Sequence, residues 1–220
     1  MIKALFLVLR IYVDAFVKKN KSPHEKHQAI QQWCQKLMKT LNYDLEVEMA
    51  QPLEQPCYLV CNHQSTFDPI MVLASYNQPL SFVSKIENKK LPVVGRWSKL
   101  LNIVFFDRAS REGNISMLRQ VTTLLKEQYS VLIFPEGTRS KSSELKVFQA
   151  GSLQPAKLAQ IPIVPVTLIN SYEFDVKNRR TKTLKIIYGA PIQPTIFKTH
   201  KYQEVMDIIV EQIQQNLQQA

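Results

Sequence analysis

Glycine is scarce in this chain, 5 residues in 220, and no glycine-rich or serine-rich run is long enough to serve as a flexible linker. Internal repeats and low-complexity tracts are also missing, which argues against a solenoid, a propeller or a disordered tail protein. Cysteine is limited to 3, an odd number. Cys57 and Cys61 share the apolar run Cys57-Tyr58-Leu59-Val60-Cys61, where four strand steps separate them by roughly 13 Å, beyond the reach of a disulfide. Buried, reduced thiols are the expectation. Cys61 as a nucleophile lacks any thiolate-stabilising neighbour. There is no G-x-S-x-G turn to expose a serine nucleophile, no cluster of ligands spaced for a metal, and no recognisable nucleic-acid-binding module.

What the chain does have is a 45% hydrophobic share and a formal net charge of +10. Its length suits one globular domain with terminal extensions. The charge points to anionic partners: acidic lipid, a phosphorylated substrate or nucleic acid.

No apolar run reaches the roughly 20 residues that a membrane-spanning helix needs. Residues 1–17 come closest, but Lys3, Arg10, Asp14 and Lys18 fall within one quadrant of a helical projection, leaving the rest apolar. Such a helix lies in the plane of a membrane interface or packs on its own domain. A spanning helix would bury Arg10 and Asp14 at a cost of several kcal/mol, and a signal peptide would need a cleaner apolar centre and a cleavage site. Ile30, Trp33, Cys34, Leu37, Met38 and Leu41 continue at helical spacing. The two helices form an amphipathic pair able to dip into one leaflet, although the second also has the make-up of a core-packing helix. The expected organisation is therefore N-terminal membrane-associating helices over 1–43 and an α/β domain over 44–220.

From residue 57 onward, apolar strand runs at 57–61, 80–84, 102–106, 130–134 and 163–169 alternate with helical patterns, followed by a late strand over Thr183 to Tyr188 and an amphipathic helix over 201–218. The predicted fold class is α/β: a single domain with a largely parallel sheet flanked by helices. In such sheets ligands sit beyond the carboxyl ends of the strands. The unusual polar clusters fall there: Asn62-His63, Lys85, Asp107-Arg108 and Glu136-Gly137-Thr138-Arg139.

In NHQSTFDP, His63 and Asp68 would lie about 140° apart on a regular helix, so they can meet only across a bend. Asp68-Pro69 supplies one as a helix start, with Asp as cap and Pro in the first turn. Imidazole titrates near neutral pH, and a carboxylate behind it fixes its tautomer, so His63 is suited to take a proton from an alcohol. Ser65 is too close in sequence to His63 to be the preferred target. The hydroxyl of an acceptor substrate is the simpler one, attacking an acyl carbonyl without a covalent intermediate. In SVLIFPEGTRSKS, Gly137 permits a close backbone approach. Arg139 can grip a phosphate through two N–H groups, with Thr138, Ser140 and backbone amides completing an anion nest. Read alone, each cluster is also compatible with a structural pair, a solvated turn or a surface ion pair.

Together these blocks resemble the glycerolipid acyltransferase family typified by the 1-acylglycerol-3-phosphate acyltransferases: NHQSTFD, FFDR, FPEGTRS and IPIVPV occur in the family's order. The resemblance implies that His63 is the general base and Asp68 its charge partner. Arg108, Glu136, Gly137 and Arg139 would bind the acceptor's phosphate and glycerol, with Lys85 and Thr138 on the same rim, and the Pro162 to Pro165 block would shape the site. The donor would be acyl-CoA or acyl carrier protein and the acceptor lysophosphatidic acid, with no metal or redox cofactor. It also implies an N-terminal helix pair seated in the membrane, hence a peripheral or monotopic enzyme at the cytoplasmic face of the cell membrane, on an anionic lipid surface, with no nucleic-acid partner. Asn88 departs from the apolar residue many relatives carry there. Alternative readings are another acceptor (glycerol-3-phosphate, another lysophospholipid or a lyso-ornithine lipid), a lipid hydrolase, or a non-catalytic membrane-binding protein.

Overall fold

The apolar runs become strands of a seven-stranded sheet in the computed structural model, which describes residues 20–107, 109–175 and 182–219. The strands are β1 (Asp44–Met49), β2 (Tyr58–Cys61), β3 (Leu80–Lys85), β4 (Val104–Phe106), β5 (Ser130–Ile133), β6 (Ile163–Ile169) and β7 (Thr183–Tyr188), in the spatial order β1-β7-β6-β2-β5-β3-β4. Every neighbouring pair is parallel except β6 with β7, as the largely parallel expectation requires.

The sheet is sandwiched between two helical layers because its inner strands are apolar on both faces. On β2, Leu59 and Cys61 join one core cluster and Tyr58 and Val60 the other. One layer holds α1 (Pro23–Thr40), α2 (Asp68–Ser75) and α3 (Pro92–Trp97). The other holds α4 (Arg111–Lys126), α5 (Gln154–Ala159) and α6 (Tyr202–Gln218). The strand β1, which no continuous apolar run marks, is an edge strand whose Leu45, Val47 and Met49 alternate with acids and of which only Leu45 is partly covered. Its charges blunt an open edge, and Glu48 pairs with Lys185 at 2.8 Å.

The interfacial helix expected over residues 1–17 lies outside the described residues. Among the described residues, no helix is long and apolar enough to cross a membrane. The second amphipathic helix is α1, which starts at Ser22 with a capping box closed by Glu25. It packs Ile30, Cys34 and Met38 against the core, while Gln31 and Gln35 donate to the Tyr76 and Ala74 carbonyls at 2.8 Å each. All three cysteines are free and buried. Burial pushes the Cys57 thiol up to about 11 and Cys34 to about 12.

The most constrained polar contact of α1 is His27, whose Nε2–H donates to the Tyr76 carbonyl at 2.7 Å while Nδ1 is buried without a partner. Burial lowers the pKa of His27 from its ordinary 6.5; the Tyr76 carbonyl opposes that shift and His24 adds a small repulsion. A histidine lowered in the folded state gains its proton first in the unfolded chain. Its contribution is therefore intact above pH 6.5 and is lost on acidification below it, at no more than about 1.4 kcal/mol per pH unit. In denaturant titrations, His27→Gln, which retains an N–H for Tyr76, is expected to lose stability less steeply than the native chain between about pH 6.5 and pH 5. Parallel slopes would remove His27 as the titrating group.

Candidate active site

His63 follows β2 at the edge where β2, β3, β4, β5 and β6 all end, so the parallel pairing gathers Asn62-His63, Lys85, Asp107 and Glu136–Arg139 on one rim. Asn62 anchors the exit of β2: its side-chain amide exchanges two hydrogen bonds with the backbone of Leu168 on β6, at 2.9 and 2.7 Å. The chain then bends through Gln64 to Phe67 and enters α2. The cap of that helix differs from expectation. Phe67 is the N-cap and Asp68 the first helical residue, so the Asp68 carboxylate is free to turn back over the bend.

There it is wholly buried and meets five donors. Its Oδ2 accepts from His63 Nδ1 at 2.7 Å, Gln64 N at 2.7 Å and Ser65 N at 2.9 Å. Its Oδ1 accepts from Ser65 Oγ at 3.2 Å and Ser171 Oγ at 2.6 Å. Since a carboxylate only accepts, Nδ1 of His63 carries a proton, and in the neutral ring the lone pair is then on Nε2. The imidazole stacks on Phe134 with ring centroids 4.1 Å apart and 19° between planes, and its side chain remains 19% exposed. Ser65 is buried, donating to Asp68 and accepting from Phe67 N at 2.9 Å, which leaves it no access to a substrate.

Glu136 lies one strand over, at the end of β5. Its Oε1 accepts from His63 N at 2.6 Å and its Oε2 from Lys146 N at 3.1 Å. Both oxygens face the protein backbone, so the residue clamps two loops together. Burial raises its pKa, opposed by the two amides. Gly137 takes a left-handed φ of 70° to turn the chain away. The same loop returns to the histidine segment, with Ser140 N donating to His63 O at 2.7 Å and Lys141 N to Gln64 O at 3.1 Å. Arg139 Nη1 meets Asp175 Oδ2 at 3.2 Å, leaving most of its five N–H donors uncommitted to that carboxylate. Thr138 is exposed and accepts from Lys146 Nζ at 3.4 Å.

Lys85 ends β3 and is exposed on the same rim. The register of β3 on β5, Phe82 beside Leu132, puts the end of β3 next to the Pro135–Arg139 turn. Among the described residues, no hydrogen bond or ion pair joins Lys85 to the His63–Asp68 pair. Arg108 lies outside the described residues. Next to the pair, burial together with the Asp68 and Glu136 carboxylates pushes the Cys61 thiol well up, so it is a poor nucleophile.

The segment after β6 was not foreseen as part of the site. Ser171 reaches Asp68 through its hydroxyl, and its N–H donates to Gln64 Oε1 at 3.1 Å. Asp175 accepts from Thr66 Oγ1 at 2.7 Å as well as from Arg139. The sequence signal was modest, a polar Asn170-Ser171 pair at the end of an apolar strand.

A family model described as Acyltransferase matches residues 42–169, more than half of the chain. The chain belongs to the acyltransferase family. Its relatives include a probable 1-acyl-sn-glycerol-3-phosphate acyltransferase of Mycoplasma pneumoniae, 28% identical over 176 residues, 73% of this chain and 66% of that protein. Another is the 1-acyl-sn-glycerol-3-phosphate acyltransferase of Saccharomyces cerevisiae, 31% identical over 156 residues, 67% of this chain and 52% of that protein. The matched regions thus span between about half and two thirds of those relatives' lengths. The crystal structure of the 1-acyl-sn-glycerophosphate (LPA) acyltransferase PlsC from Thermotoga maritima is similar over 99% of this chain and 96% of that one, with a TM-score of 0.77 and 25% identity. The family model takes in all four blocks on which the acyltransferase resemblance rested.

Five donors on one carboxylate make Asp68 intolerant of an amide, which would turn an N–H₂ toward at least one of them. Asp68→Asn is expected to lower the unfolding free energy by about 1–3 kcal/mol through unsatisfied buried groups, measured by chemical denaturation. A stability equal to that of the native chain would show that the network is not held as described.

Proposed function

We propose that this acyltransferase moves a fatty acyl group from acyl-CoA or acyl carrier protein to the free hydroxyl of 1-acylglycerol-3-phosphate, producing phosphatidic acid for phospholipid synthesis. The observation that carries the reading is the 2.7 Å contact between His63 Nδ1 and the buried Asp68 carboxylate, which leaves Nε2 as a base beside a loop that bears Arg139. The names of the relatives and the likeness to PlsC support the choice of acceptor.

In this reading Nε2 of His63 takes the hydroxyl proton of the acceptor as its oxygen attacks the thioester carbonyl. Asp68 stabilises the imidazolium that forms, an effect worth about 10² to 10⁴ in rate for general base catalysis. The carbon–sulfur bond then breaks, and the departing thiolate recovers the proton from the imidazolium. The oxygen joins the acyl carbon directly, with no acyl-enzyme and no metal or redox cofactor. Arg139 binds the acceptor's phosphate through its remaining donors, assisted by Thr138, the Gly137 backbone, Lys85 and Arg108. Glu136, with both oxygens on backbone amides, acts by holding the His63 segment and the Arg139 loop in register. The enzyme works at the cytoplasmic face of the cell membrane, attached peripherally through its N-terminal residues 1–43.

With palmitoyl-CoA and lysophosphatidic acid, thiol release is expected to match phosphatidic acid formed, as identified by mass spectrometry. His63→Ala is expected to lose at least about 10²-fold in kcat. Thiol release with free fatty acid as the sole lipid product would replace the transferase with a thioesterase.

Arg139→Ala is expected to raise KM for the acceptor by about 10- to 100-fold, the scale of a lost charge-assisted hydrogen bond, with kcat much less affected. An unchanged acceptor KM and a raised acyl-CoA KM would assign Arg139 to the donor's phosphates.

A further inference from the structure

Between β3 and α3 the chain runs Lys85-Ile86-Glu87-Asn88-Lys89-Lys90-Leu91, and all seven residues are exposed. Its short 3₁₀ helix, Ile86–Lys90, contributes nothing to the core, yet the segment carries two large apolar side chains, Ile86 at 40% exposure and Leu91 at 51%. Local bonds hold it in shape. Asn88 Nδ2 donates to Ser84 Oγ at 3.0 Å, Leu91 N to Asn88 O at 3.0 Å and Gly95 N to Leu91 O at 2.7 Å. A Cβ on Gly95 would stand 2.5 Å from the Lys89 carbonyl, so the turn rests directly on the start of α3. Asn88, unusual as a sequence feature, thus ties an exposed turn instead of filling a core.

The neighbouring strand β5 leads into a second protrusion. Val147 is 78% exposed. It follows Lys146, whose backbone N–H is held by Glu136, the residue that also holds His63. Both protrusions therefore follow strands, β3 and β5, whose ends lie on the same rim as the end of β2 that carries His63. Their apolar side chains stand singly among lysines, with Lys85, Lys89 and Lys90 outnumbering Glu87 in the first and Lys141 and Lys146 outnumbering Glu144 in the second. A protein partner would call for a contiguous apolar patch. Isolated apolar side chains ringed by ammonium groups suit the headgroup layer, where the former enter the acyl boundary and the latter meet lipid phosphates.

We propose that Lys85–Leu91 and Val147 form a rim that contacts an anionic bilayer and sets the open edge of the sheet, and with it Nε2 of His63, against the headgroup layer. The benefit of that placement rests on the acyltransferase reading, because the acceptor's hydroxyl and phosphate lie at that depth.

The test uses the full chain with Ile86→Trp, Leu91→Trp or Val147→Trp, after subtraction of the signal from its 2 natural tryptophans. Each variant is mixed with phosphatidylcholine–phosphatidylglycerol vesicles whose acyl chains are brominated. Emission from all three positions is expected to shift to the blue and be quenched, whereas Ile208→Trp on α6, 39% exposed and not part of the rim, is expected to stay unquenched. Lys89→Gln combined with Lys90→Gln is expected to reduce quenching at Ile86→Trp severalfold. Vesicle-bound protein with unquenched emission at the three rim positions, or with equal quenching at Ile208→Trp, overturns the proposal. Equal quenching by vesicles of phosphatidylcholine alone overturns its anionic part. Because the readout is independent of turnover, quenching without phosphatidic acid sinks the 1-acylglycerol-3-phosphate reading and leaves the rim standing; product without quenching does the reverse.

Discussion

A single buried carboxylate organises the rim of the sheet. Asp68 has no exposed surface, and a charged group in that setting is tolerable only with its oxygens fully engaged. The five donors that engage it come from the bend after β2 and from the end of β6. Satisfying Asp68 therefore forces the bend, docks the segment that begins at Ser171, and orients the His63 ring as one event. Glu136 repeats the device one strand over by accepting from the backbones of His63 and Lys146. Two acids thus join the loops after β2, β5 and β6, in a chain whose overall charge is strongly positive.

Strand direction decides which loops can take part. The strands β2 to β6 run one way, and β7 turns back against β6 with β1 alongside it. Five strands therefore deliver their following loops to a shared rim, while the two others send theirs to the opposite end. Asn62 fixes the β2–β6 seam just below that rim by bonding both polar groups of Leu168. A shift of β6 along β2 would break that pair and would also pull Ser171 away from Asp68.

The inner strands were legible in the sequence because both their faces are buried, which writes an unbroken apolar run such as Tyr58 to Cys61. The His63–Asp68 pairing was legible because Asp-Pro marks a helix start and two side chains five residues apart need a bend to meet. The cap assignment missed by one residue, since the carboxylate spends its acceptors on the bend and the pair with His63, and Phe67 takes the cap position. β1 has the two-residue alternation of a strand, Leu45, Val47 and Met49 between acids, but it is short and stands before the first continuous apolar run, so a reading built on such runs passes over it. Ser171 and Asp175 lie more than 100 residues from the groups they hold in the first block, and no local spacing rule reaches that far. Glu136 sits in a turn whose glycine and arginine suggest an outward anion site. Only the fold shows that its own side chain points back to the backbone.

The buried thiols have a further consequence for an enzyme whose chemistry would liberate a thiol at each turnover. Cys61 is a fully buried neighbour of two carboxylates, and Cys34 and Cys57 are covered as well. Thiol–disulfide exchange requires a thiolate that can be approached. None of the three is suited to form a mixed disulfide with a departing carrier thiol, so accumulating product and oxidised carrier have no cysteine handle by which to disable the site.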